Sequence, residues 1–185
     1  MIWKCSKLKV MFYGIFIVLI TAIISYSIIN SQFKSNKRLI IESNAFLKSL
    51  FWYHLLLSTV YFIYVQLNRS DSYAYYYDVA ESRYGDSFFG FLGFIFFYKF
   101  FRERIFFKPE FLGFNLLYLF FLLPNLHFWS GSLGKGSFIF LGIGLLFYSL
   151  NNISKRWLVL ILSGLLIYHI RPHVMFVFLV SAIIG

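Results

Sequence analysis

Long apolar runs broken by short polar segments dominate the chain: residues 10 to 29, 51 to 67, 87 to 101, 111 to 127, 137 to 150 and 157 to 170, with another beginning near Val174. A hydrocarbon core of roughly 30 Å takes about 20 helical residues, and shorter segments suffice inside a bundle or where the bilayer thins. The pattern predicts an all-α fold, a polytopic transmembrane helical bundle of about six complete spans plus an incomplete seventh. That last run stops at Gly185 after about 12 residues, short of a bilayer, so the chain is expected to be the N-terminal part of a longer protein, truncated at its C-terminus. The connections leave no room for a soluble domain or a Pro- or Gly/Ser-rich linker, and no repeat has a fixed period. Residues 1–185 therefore read as a single transmembrane domain.

Composition agrees. The chain is 60% hydrophobic and 13% charged, a balance that a water-soluble domain of this length cannot hide from solvent. Phe suits lipid-facing helices and Tyr and Trp the headgroup level, so the aromatic excess follows from the environment. The run 10 to 29 follows Lys4, Lys7 and Lys9 like a secretory signal, but it is long for a signal core and no small-residue cleavage site follows. It reads as a retained helix. Lone Cys5 excludes an intrachain disulfide and a cysteine-rich metal site.

The net charge of +10 is spread over short polar breaks rather than gathered on one face, which argues against nucleic acid and for membrane topology. One set of loops holds Lys34, Lys37, Arg38, Lys48, Lys99, Arg102, Arg104, Lys108, Lys155 and Arg156; the opposite set holds Arg69, Arg83, Lys135 and Arg171. The first set is expected to be cytoplasmic. The N-terminal lysines oppose that bias if the first run spans.

Nearly all chemically interesting residues then fall on the outer side. In the segment 68 to 86, Ser70 or Asp71 can cap a short helix that Gly85 ends, with Asp71 and Asp78 on one face. A carboxylate there can serve as general base toward a hydroxyl or bind a divalent cation, while the tyrosines stack on sugar rings. The plainer reading is an N-cap and an aromatic belt. The next outer loop, Pro124 to Ser137, combines a helix-breaking proline, glycines, His127, Trp129 and Lys135. His127 is a proton carrier, Trp129 an aromatic face and Lys135 a phosphate counter-charge or a snorkelling anchor. The stretch Gly131 to Ser137 fails as a P-loop, because Gly136 follows Lys135 and no strand precedes it.

The third element is His169-Ile170-Arg171-Pro172-His173. A guanidinium at a bilayer boundary is costly unless solvated or paired, and its planar fork matches phosphate. Arg171 is the strongest single candidate, with His173 beside it. His169 and His173 have the spacing of helical zinc ligands, but Pro172 disturbs that helix and no third ligand is near. No cofactor is expected beyond a possible divalent cation.

An acidic, aromatic first outer loop, then Pro-x-x-His-Phe-Trp-Ser-Gly-x-x-x-Lys and an Arg-Pro turn, resembles bacterial surface-polysaccharide (O-antigen or exopolysaccharide) polymerases. More distantly it is similar to GT-C glycosyltransferases, over about residues 51 to 180. The resemblance implies a protein of the bacterial inner membrane with an extracytoplasmic active site. Its partners would be a lipid-linked oligosaccharide and membrane lipids, with polyprenyl-diphosphate-linked sugar as donor. Asp71 matches the family's first-loop acid and Arg171 its outer arginine. Asp71 or His127 would deprotonate the acceptor hydroxyl, Arg171 and Lys135 would hold the diphosphate, and Asp78, Trp129 and His173 would line the site. Two departures stand: GT-C enzymes pair their first-loop acids closely, whereas Asp71 and Asp78 are seven apart, and those families have more helices. The alternatives are a transporter or flippase of lipid-linked glycans, which calls for polar residues through the depth of the helices, and a noncatalytic membrane subunit.

Overall fold

A computed structural model describes residues 19–30, 37–68, 85–105, 109–131 and 134–184. Asp71, Asp78 and the helix expected between Ser70 and Gly85 lie outside the described residues, as do Cys5 and the beginning of the first run. The described helices are α1 Leu19–Asn30, α2 Lys37–Leu67, α3 Gly85–Arg104, α4 Leu116–Phe121, α5 Pro124–Ser130, α6 Lys135–Leu150, α7 Ile153–Ile170 and α8 Pro172–Ile184. A short antiparallel hairpin, β1 Glu110–Phe111 with β2 Phe114–Asn115, precedes α4.

The described chain is mostly helical, as the pattern predicts, but the expectation of six spans is corrected. Two described helices are long and apolar enough to cross a membrane, Ser43–Val65 within α2 and Ile153–Ile170, and α5 with α6 makes a third if the pair, bent by 114°, is one broken span. Hydropathy marks the lipid-embedded stretch of a helix and not its ends. Helix α2 starts well before residue 51 because neither Gly nor Pro interrupts residues 37–67. Helix α3 has the length, but Asp86 at its start and Lys99, Arg102, Glu103 and Arg104 toward its end leave no apolar stretch long enough to span.

The largest departure is the expected span 111 to 127. Leu112 and Gly113 adopt positive φ in the hairpin turn, and Asn115 Oδ1 caps α4 by accepting from the Leu117 amide at 3.0 Å. The helix then stops at Leu122, and Pro124 occupies the first turn of α5, where a missing N–H costs nothing. A mostly apolar stretch thus covers a hairpin and two short helices.

Contacts fix the directions of the helices. Phe51 packs on Phe91 and Tyr98 donates to Ser43 Oγ, so α2 and α3 are antiparallel. Phe89 meets Phe138 and Phe97 meets Phe147, so α3 and α6 are parallel. The short turn at Asn151 and Asn152 returns α7 antiparallel along α6, and Arg171 returns α8. The core runs between α2, α3 and α4 through Leu47, Leu50, Phe91, Phe94, Tyr98 and Phe121. Glycines let α3 and α6 approach closely: a Cβ on Gly144 would sit 2.6 Å from the Gly93 carbonyl oxygen. Backbone cannot swing aside as a side chain does, so Gly144→Ala is expected to lose about 1–3 kcal/mol of stability. Gly164→Ala, which meets only the Met175 methyl at 3.3 Å, should be close to neutral when unfolding in detergent is compared.

These directions bring Gly85, Lys135 and Arg171 to one end of the bundle. Lys99, Arg102, Arg104, Lys155 and Arg156 gather at or toward the other. There Arg156 donates to both Glu103 oxygens, at 2.8 and 3.0 Å, and Asn151 donates to Glu103 Oε2 at 2.8 Å. Partial burial pushes the Glu103 carboxyl up, but the hydrogen bonds from Arg156 and then Asn151 outweigh it and hold it below the usual carboxylate range. A lowered native pKa gives stability that is present above that range and lost as pH falls through it. With the Glu103 side chain 40% exposed, screening keeps the pair near the surface-bridge value of about 0–1 kcal/mol. Glu103→Gln should therefore flatten only the acid limb of a stability-versus-pH curve.

Candidate functional site

The buried polar centre of the protein lies where α2, α3 and α5 meet. His54, on the second apolar run, and His127, on α5, are both fully buried. Their Nδ1 atoms are 3.0 Å apart, His54 Nε2 lies 2.9 Å from the Ser87 carbonyl oxygen, and His127 Nε2 lies close to the Phe121 carbonyl oxygen at 2.6 Å. The His127 ring stacks on Phe94 with centroids 4.2 Å apart, and Tyr53 meets it edge-on. Pro124 is responsible for the placement of His127: by ending one helix and starting the next, it leaves the Phe121 carbonyl free for a side chain.

Beside the pair is a cavity of about 330 Å³, lined by Phe51, Phe62, Phe88 and Phe91, with His54, Ser58 and Ser87 among its polar groups. Ser87 donates to Ser58 Oγ at 2.9 Å, and Ser58 donates to the His54 carbonyl at 2.7 Å. Gly131 closes the wall because a Cβ there would lie 2.2 Å from Ser58 Oγ. Larger residues would hold α5 away from α2.

The other predicted residues lie at the bundle end. Trp129 is exposed and flanked by Phe128 and Tyr61. Lys135 opens α6 and is exposed. Arg171 and His173 are exposed at the α7–α8 junction. Arg171 has extended backbone, φ −144° and ψ 88°, as a residue before proline should, and Pro172 then starts α8. Neither Glu103 nor Glu110 forms an ion pair with Lys135 or Arg171. Antiparallel α6 and α7 bring these two cations to the same end, whereas His127 points into the core with both ring nitrogens engaged. Among the described residues no cluster of three or more His, Cys, Asp or Glu is placed to hold a metal.

His54 is the functional candidate that loop-by-loop reading misses. Its signal was available, because an ionisable side chain inside an apolar run is a functional hypothesis in its own right. No protein-family model matches the chain, and no curated protein or solved structure matches it.

Proposed function

We propose that the chain is an integral protein of the bacterial cytoplasmic membrane, acting as a glycosyltransferase or polysaccharide polymerase on polyprenyl-diphosphate-linked sugars at its extracytoplasmic face. The observation that carries this reading is the position of Lys135 and Arg171 at one end of the bundle, both exposed. Two such cations suit a diphosphate at the headgroup level. Asn68 and Gly85, the described residues that bracket the stretch holding Asp71 and Asp78 in the sequence, lie at that same end. In the reaction an acceptor hydroxyl oxygen bonds to the anomeric carbon as the bond to the diphosphate oxygen breaks. Asp71 takes the hydroxyl proton, and Arg171 and Lys135 stabilise the charge left on the diphosphate. Asp78, Trp129 and His173 flank the sugar. His127, bonded on both nitrogens, then organises the α5 segment rather than acting as the base.

A second reading, a transporter or flippase for lipid-linked glycans, is favoured by the buried polar residues that line the helices at depth. His54, Ser58 and His127 are such residues, and His54 and Ser58 line the cavity. Liposomes reconstituted with the protein and a polyprenyl-diphosphate oligosaccharide separate the two. The enzyme reading expects longer glycans and released polyprenyl diphosphate. Unaltered lipid-linked sugar that changes leaflet would sink it in favour of transport.

A further inference from the structure

The four imidazole nitrogens of His54 and His127 form a chain that begins and ends on a backbone carbonyl: Ser87 oxygen, His54 Nε2, His54 Nδ1, His127 Nδ1, His127 Nε2, Phe121 oxygen. A carbonyl oxygen can only accept, so each Nε2 must carry a proton. A neutral imidazole has one proton, which leaves both Nδ1 atoms as bare lone pairs facing each other at 3.0 Å. Three links need three protons, and two neutral rings bring two. We propose that His54 and His127 constitute a buried site for one additional proton, held between their Nδ1 atoms as an imidazole–imidazolium pair that latches α5 onto α2.

Burial among apolar rings opposes a cation, and the groups around the pair offset that cost for one shared over two rings. Two carbonyl dipoles point their negative ends at the outer nitrogens, and the face of Phe94 lies parallel to His127 at 4.2 Å, the geometry of a cation–π contact. Facing the pair are Tyr53 from α2, Phe91 and Phe94 from α3 and Phe121 from α4, with Phe140 of α6 behind Phe94. Tyr53 is the one other titratable group among these, and no described carboxylate reaches either ring. Removing the proton turns the central link into two opposed lone pairs. The bond between α2 and α5 is then lost where Gly131 and His54 wall the cavity, so the proton controls that wall. The inference is independent of the substrate proposed above.

Magic-angle-spinning NMR of the protein with ¹⁵N-labelled histidine rings, in lipid bilayers at pH 7.5, reads the site directly. A free imidazole, with an unperturbed pKa of about 6.5, is mostly neutral there. The expected result is three proton-bearing nitrogens out of the pair's four, with an N–H···N coupling between the two Nδ1 atoms. Raising pH until that coupling vanishes should shift the backbone signals of Pro124–Ser130 while those of Ile153–Ile170 stay in place. One proton per ring with no coupling between the rings would overturn the site, and unmoved α5 signals after loss of the coupling would overturn the latch.

Discussion

Arg171→Ala is expected to reduce glycan-forming activity per membrane-inserted molecule by roughly 30- to 1000-fold, the equivalent of losing about 2–4 kcal/mol of transition-state stabilisation at one positioned charge contact. Arg171→Lys should fall less far. Lysine keeps the charge but loses the two parallel donors that grip a diphosphate. The structure gives little reason for either variant to misfold: the Arg171 side chain is exposed, and Pro172 rather than the guanidinium sets the extended backbone there. Glycan length in cells, normalised to the amount of protein in the membrane, checks the expectation. Normal activity per inserted molecule with reduced accumulation would make Arg171 a membrane anchor.

The largest loss of stability is expected from His127→Ala. The side chain is fully buried, bonded at both nitrogens and stacked on Phe94. Its removal leaves the His54 Nδ1 and the Phe121 carbonyl without partners, at about 1–3 kcal/mol for each unsatisfied group, and opens a cavity besides. A total on the order of 4 kcal/mol is several hundred-fold in the folded fraction, at about 1.4 kcal/mol per tenfold. Trp129→Ala, on an exposed neighbour two residues away, serves as the control and should cost far less. Unfolding of both variants in the same detergent makes the comparison. If the pair acts as one unit, His54→Ala combined with His127→Ala should cost clearly less than the two single losses added together.

How much of this was legible in the sequence depends on which interactions decide each feature. Runs of lipid-compatible residues announce helices, so α2, α3, α6 and α7 are recognisable from composition. The hairpin at Leu112 and Gly113 is invisible to hydropathy, since Phe111, Leu112 and Phe114 read as membrane while the backbone turns. Pro124 does announce the break before α5, but nothing local says that the break frees a carbonyl for His127. The basic residues predict which helix ends belong together, and the contacts of α3 with α6 and of α6 with α7 place Lys135 and Arg171 accordingly. The pairing of His54 with His127 depends on two residues 73 positions apart meeting in three dimensions, which no local pattern encodes.

The claim on which the account turns is that the bundle end carrying Lys135 and Arg171 faces away from the cytoplasm, with the Glu103–Arg156 end opposite. Single cysteines at Ser132, His173 and Ser154, each with Cys5→Ser, can be exposed to a membrane-impermeant maleimide in intact cells with a permeable outer envelope. The account predicts that Ser132→Cys and His173→Cys label at once, and that Ser154→Cys labels only after the cytoplasmic membrane is permeabilised. Immediate labelling of Ser154→Cys, with the other two protected until permeabilisation, would contradict it.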